Sequence, residues 1–202
     1  MTVYRAGVDM ITTEMIKELR SATGVGIGDC KDALTESNGD FEKAKLLLRE
    51  KGMKLAQSSS VGDEGIIGSY IHHNKRVGVM VEVNCQTDFA TSHLQELARD
   101  IAMHIASAKP QCVSRDELPE EDVSRERQFL IEQAKASGRP EHIIETKIIP
   151  GQMERFYAER CLLDQVFVKD NKSKIKDLLA DLSAKTGETV SIKRFTRFAI
   201  GE

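Results

Sequence analysis

The stretch IIGSYIHHNKRVGVMVEV, residues 66–83, decides the class of fold. Apolar and β-branched residues crowd Ile66–Ile71 and Val77–Val83, and the five residues between them, His72-His73-Asn74-Lys75-Arg76, are polar. Two such runs around a short polar break read as a β-hairpin. Upstream, the period is helical instead. Residues 10–52 predict three short helices. Thr12 caps the first, with Ile11 and Ile16 placed as a hydrophobic staple. Gly24, Gly26 and Gly28 break the chain, and the second helix, carrying Cys30, Ala33 and Leu34, ends near Asn38-Gly39. Asp40 caps a third, whose stripe of Phe41, Ala44, Leu47 and Leu48 is expected to stop at Gly52. Residues 53–64, with Ser58-Ser59-Ser60, read as a flexible linker.

Downstream of the hairpin, Asn84–Ala90 predicts a turn. A long helix follows with Leu94, Leu97, Ile101, Ile105 and Ala108 on one stripe, ended by Pro110. Ser114 and Glu117 have the spacing of a capping box ahead of a charged helix over Pro119–Gly138. Pro140–Arg160 is helical in period, with a break expected at Ile149-Pro150-Gly151. Ile175, Leu178, Leu179 and Leu182 mark another helix ending at Gly187. The last residues alternate, which puts Val190, Ile192, Phe198 and Ile200 on one face of a strand joining the hairpin. The expected fold is therefore α+β: a three-helix module at 10–52, a linker at 53–64, and a core at 65–202 of a small antiparallel sheet with packed helices.

Composition narrows function mainly by exclusion. The 202 residues are 40% hydrophobic and 30% charged, a globular balance. Lys+Arg 29 against Asp+Glu 32 leaves a charge of -3, so no basic field draws the chain onto nucleic acid or a membrane. No apolar run nears the roughly 18–20 residues of a bilayer span. Met1–Arg5 shows neither a signal core nor a transit pattern. Cys30, Cys85, Cys112 and Cys161 contain no Cys-x-x-Cys pair, which suits reduced thiols in a cytoplasm and no zinc knuckle. Gly24–Lys31 fails as a phosphate loop, because Asp29 stands where glycine is needed and the segment follows a helix. Adjacent strand residues point to opposite faces, so His72 and His73 cannot share a metal ion. No spacing supports Cys85 and His104 as nucleophile and base. Two features stay open. Phe89, in Asn84-Cys85-Gln86-Thr87-Asp88-Phe89, either folds back into its own core or is held out as a wedge for a partner. His104, beside the apolar stripe, is either a core histidine or a functional one.

Several motifs in order resemble one family. Met15-Ile16-Lys17-Glu18-Leu19-Arg20 and Thr23-Gly24-x-Gly26-x-x-Asp29-Cys30-Lys31-x-Ala33-Leu34 are similar to the N-terminal module of translation elongation factor Ts. Asn84–Phe89 is similar to that family's signature loop, Ile101–Ala106 to its helix, and Phe167-Val168-Lys169-Asp170 to a later segment. The resemblance implies a non-enzymatic guanine nucleotide exchange factor for elongation factor Tu, with no cofactor of its own. It implies a ubiquitin-associated-like N-terminal module whose Arg20, Ile27 and Lys31 touch the partner's GTPase domain. Thr87, Asp88, Phe89 and Ala90 would dislocate the partner's Mg²⁺, with Phe89 as wedge, and His104 would press near its phosphate-binding loop. The single core subdomain implies a homodimer, as in short bacterial forms. Ile27-Gly28, Ala90, Pro150 and Val166 depart from the family pattern. A rival reading is an adaptor whose three-helix module binds a partner helix or ubiquitin-like fold.

Overall fold

In the computed structural model, which describes residues 11–56, 62, 64–136 and 140–202, the hairpin forms as the sequence predicts. Of residues 55, 56 and 88–93 only the backbone is described. Strands β1 (Glu64–Ile71) and β2 (Val77–Cys85) pair around the turn, and His72 N–H donates to the Val77 carbonyl at 2.9 Å. Strand β3 (Ser191–Ala199) adds beside β2, giving the order β1-β2-β3. Ile200 N–H on the Arg76 carbonyl and Arg194 on Glu82 fix an antiparallel register between β2 and β3. The fold is α+β.

The chain gathers into two compact units. One holds the chain through Ile66 with Val83–Gln95 and Lys176–Ser191; the other holds Ile67–Glu82, Glu96–Ile175 and Ile192–Glu202. The first contains α1 (Thr13–Thr23), α2 (Ile27–Glu36), α3 (Phe41–Ala56) and most of α8 (Ile175–Thr186). Thr12 caps α1 by accepting from Met15 N–H at 3.2 Å, and Asp40 caps α3 by accepting from Lys43 N–H at 3.0 Å. Leu19, Val25, Cys30, Ala33, Leu34, Ala44 and Leu48 form a shared core, with Ile11, Ile16 and Ala184 against it. Two glycines behave differently from expectation. Gly28 lies inside α2, so only Gly24 and Gly26 separate the helices. Gly52 does not stop α3, which continues to Ala56. A Cβ at Gly52 would fall 2.1 Å from the Ala180 carbonyl oxygen, so this glycine lets α3 and α8 touch backbone to backbone. The linker expected from residue 53 thus begins inside a helix; its residues 57–61 and 63 lie outside the described residues.

In the second unit most of α4 (Asp88–Ala108) covers the sheet. Ala98, Ile101, Ala102 and Ile105 are fully buried, and a Cβ on Gly68 of β1 would meet Ala98 at 2.6 Å. Helix α5 (Glu120–Ala136) follows a short 3-10 turn. Glu117 reaches back to the Val113 N–H at 3.0 Å, one residue before Ser114, and the Ser114 side chain caps nothing, so the expected capping box does not form. The expected end of α5 at Gly138 falls outside the described residues.

The break expected at Pro150 does not occur. Helix α6 (Glu141–Ile143), a π-helical run at Ile144–Ile148 and α7 (Ile149–Arg160) are continuous. Ile149 N–H donates five residues back to Ile144 O, so the register has already widened where Pro150 lacks a donor. Leu130, Ala134, Ile144, Ile149, Met153 and Phe156 join these helices and α5 into a helical arm with its own small core.

Strand β3 also departs from its expected phase. Ile192 is buried, but Phe198 and Ile200 are 70% and 64% exposed. Lys193 and Arg194 are both exposed and both bond Glu82, so alternation resumes one residue out of step.

Candidate functional site

The corner between β2 and α4 is shorter than a seven-residue turn. Asn84 and Cys85 finish β2, Gln86 and Thr87 make the turn, and Asp88, Phe89 and Ala90 are already the first turn of α4. Phe89 therefore stands on a helix, not in a loop; its side chain, with those of Asp88 and Ala90, is outside the described residues. The corner is held from both sides. Cys85 is fully buried, and its thiol donates to the Thr87 carbonyl at 3.1 Å. Asn84 donates to the Gly62 carbonyl at 3.4 Å. Glu188, just past α8, accepts from the Thr87 N–H at 2.9 Å and from the Thr87 hydroxyl. A carboxylate is well placed there, because the N-terminus of a helix carries partial positive charge. Glu188 has no sequence signal: it lies 101 residues from Thr87, and only the fold brings them together.

The other candidates divide. Arg20, Ile27 and Lys31 are all exposed, Ile27 at 55%. Ile27 and Lys31 are one turn apart on α2, hence on one face, and Arg20 is in the last turn of α1. His104 is different. It is fully buried; its Nε2–H donates to Gln165 Oε1 at 2.9 Å, and its ring lies 6.1 Å from that of Phe167. Burial pushes its pKa below the usual imidazole value, and the bond to Gln165 offsets this only in part. In the free chain, then, its side chain is enclosed by its own fold, between Gln165 and Phe167. His104 is thus paired with Gln165, and Cys85 with the Thr87 carbonyl. Among the described residues no cluster of three or more His, Cys, Asp or Glu could hold a metal ion. No described helix is long and apolar enough to cross a membrane.

Comparison with known proteins decides what this corner belongs to. Residues 32–202 match the family model described as elongation factor TS. The chain is 47% identical to elongation factor Ts of Carboxydothermus hydrogenoformans, over 96% of its own length and 90% of that protein. Against elongation factor Ts of Syntrophus aciditrophicus it is 50% identical over 95% of its length and 97% of the relative's. Against that of Thermosipho melanesiensis it is 45% identical, over 96% and 100%. The chain belongs to the elongation factor Ts family. Membership gives it the role of nucleotide exchange factor for elongation factor Tu in translation. The matched span takes in the whole β2–α4 corner, the Glu188 that braces it, and the buried His104 of α4. In this chain, then, Asp88, Phe89 and Ala90 open a helix whose backbone is tied down at Thr87.

Proposed function

We propose that the chain frees GDP from elongation factor Tu by presenting Thr87-Asp88-Phe89-Ala90 to the GTPase domain. Asp88 disturbs the Mg²⁺ water shell there and Phe89 enters between partner helices. The observation that carries this reading is the Glu188 clamp on Thr87, which fixes the backbone where Asp88 and Phe89 begin α4. An exchange factor needs no bond-making chemistry. It needs only a higher affinity for the emptied GTPase, since coupling between two ligands is reciprocal. Burying a Phe supplies about 1.5–3 kcal/mol, and each ~1.4 kcal/mol of coupling weakens GDP tenfold. A carboxylate beside the hydrated Mg²⁺ adds to that by altering its water network.

The ubiquitin-associated-like module of α1–α3 adds affinity through the exposed Arg20, Ile27 and Lys31. His104, buried on α4, belongs to the helix that presses near the partner's phosphate-binding loop. The chain acts in the cytoplasm and pairs as a homodimer through the outer face of its sheet. There Ile67, Ile71, Met80 and Phe198 are each more than half exposed, an apolar set that a partner surface would cover. The test is release of fluorescent GDP from elongation factor Tu, with and without the protein. Release should quicken with added protein and saturate; an unchanged rate at saturation would sink the reading.

A further inference from the structure

We propose that Cys112 and Cys161 form a redox-modification site, in which a hydroperoxide converts the two thiols into one intramolecular disulfide at the base of the helical arm. The sulfurs stand 3.6 Å apart, with the Cys112 thiol donating to Cys161 Sγ. Their backbones are paired as an isolated parallel bridge. Gln111 N–H donates to the Arg160 carbonyl at 2.8 Å, Leu162 N–H to Cys112 O at 3.0 Å, and Leu163 N–H to Val113 O at 3.1 Å. Residues paired across neighbouring extended segments lie about 5 Å apart, inside the roughly 4.4–6.8 Å between Cα atoms that a disulfide spans. The bond therefore needs only side-chain rotation. Arg115 braces the same place, bonding Asp164 at 2.6 Å and Glu154 at 2.7 Å. Cys112 precedes α5 and Cys161 follows α7, so the link would close the whole arm into one covalent loop.

The chemistry balances with the hydroperoxide as two-electron oxidant. The Cys112 thiolate attacks the peroxide oxygen, giving a sulfenic acid and expelling hydroxide or alkoxide, which takes up the thiol proton. Cys161 sulfur then attacks the Cys112 sulfur; the S–O bond breaks and water leaves with the second thiol proton. Two thiols and one hydroperoxide give one disulfide, one water, and an alcohol or a second water. Cys112 is the entry point because it is 8% exposed, whereas Cys161 is fully buried. Burial also pushes both thiols up, Cys161 to about 12, so few thiolates exist at neutral pH. The pair is thus quiet in a reducing cell and responds to sustained oxidant.

The experiment treats the full chain with hydrogen peroxide at pH 7 and pH 9, alkylates the remaining thiols and maps peptides without reduction. Two of four thiols should be lost, all as one Cys112–Cys161 linkage within a single chain, faster at pH 9. The melting temperature should rise by several degrees, because the cross-link restricts the unfolded chain. Dithiothreitol should reverse both changes, and Cys161→Ala should abolish the linkage and the rise. Persistent thiols at both positions, a Cys112 that halts at sulfinic acid, or linkage through Cys30 or Cys85 would each overturn the proposal. The mapping needs no variant, so a Cys161→Ala chain that fails to fold leaves the test intact.

Discussion

Asp88 and Phe89 occupy the first two positions of α4, and Thr87 before them is gripped by Glu188. If Phe89 is the wedge, Phe89→Ala slows GDP release by roughly ten- to a hundredfold, the equivalent of about 1.5–3 kcal/mol, with an unchanged melt. A core Phe would instead cost about 3–5 kcal/mol of stability and lower the melting temperature by many degrees. Asp88→Asn keeps the shape and removes the charge; a full exchange rate in that variant would refute the magnesium role. Glu188→Ala removes two bonds to a charged acceptor, so exchange should fall about tenfold, the equivalent of about 1.5 kcal/mol. Glu188→Ala combined with Thr87→Val should lose little more, since both changes break one clamp. His104 makes a prediction about acid. Its folded pKa lies below the ordinary ~6.5, so the unfolded chain binds more protons once pH drops below that value. Stability held above about pH 6.5 is lost as pH falls toward the folded pKa. Melting curves between pH 7.5 and 5 should show that loss in the parent chain and a smaller one in His104→Gln, which keeps a partner for Gln165.

Helices α3 and α8 meet through a residue that lacks a side chain. Placing alanine at Gly52 improves helix propensity by about 1 kcal/mol. It also sets a methyl 2.1 Å from the Ala180 carbonyl, where backbone must move. Overpacking of that kind costs about 1–3 kcal/mol, so the clash outweighs the gain. Gly52→Ala should lower the melting temperature, and a rise would show that α3 and α8 separate freely. Arg49 crosses the same contact to Asp177 at 2.9 Å, tying the polar edge of α3 to α8. The arm solves a different problem. Its π-helical run at Ile144–Ile148 absorbs the missing donor of Pro150, so one helix turns through a residue that ordinarily ends one.

At the scale of the molecule, the apolar outer face of the sheet is the feature a lone chain leaves unexplained. Ile67, Ile71, Met80 and Phe198 share it with the ion-paired Glu82. A homodimer would cover it, and a two-fold axis places the same residues on both sides. Met80→Asp should shift sedimentation from dimer to monomer by burying unpaired like charges against each other. A parent chain that sediments at its 22.5 kDa monomer mass at working concentration would count against the pairing.

Much of this was legible in the sequence because it depends on near neighbours. Thr12 and Asp40 cap helices whose donors lie three residues on, and the alternation of Val77–Val83 marks a strand whichever strand it joins. The corner between β2 and α4 was legible in its place but not in its length, since Asn84 and Cys85 belong to the strand and Asp88–Ala90 to the helix. Contacts between distant residues were not. Gly52 looks like a helix stop until Ala180 is beside it. Glu188 is an ordinary surface acid until α8 delivers it to Thr87. Phe198 kept the expected period but took the opposite face, because one change of phase at Lys193-Arg194 reverses every later side chain. His104 lay near the apolar stripe by pattern, and only the position of Gln165 and Phe167 made it a core residue. Local backbone preference is written in residues a few positions apart, whereas burial and polar pairing are decided by whichever remote segment packs alongside.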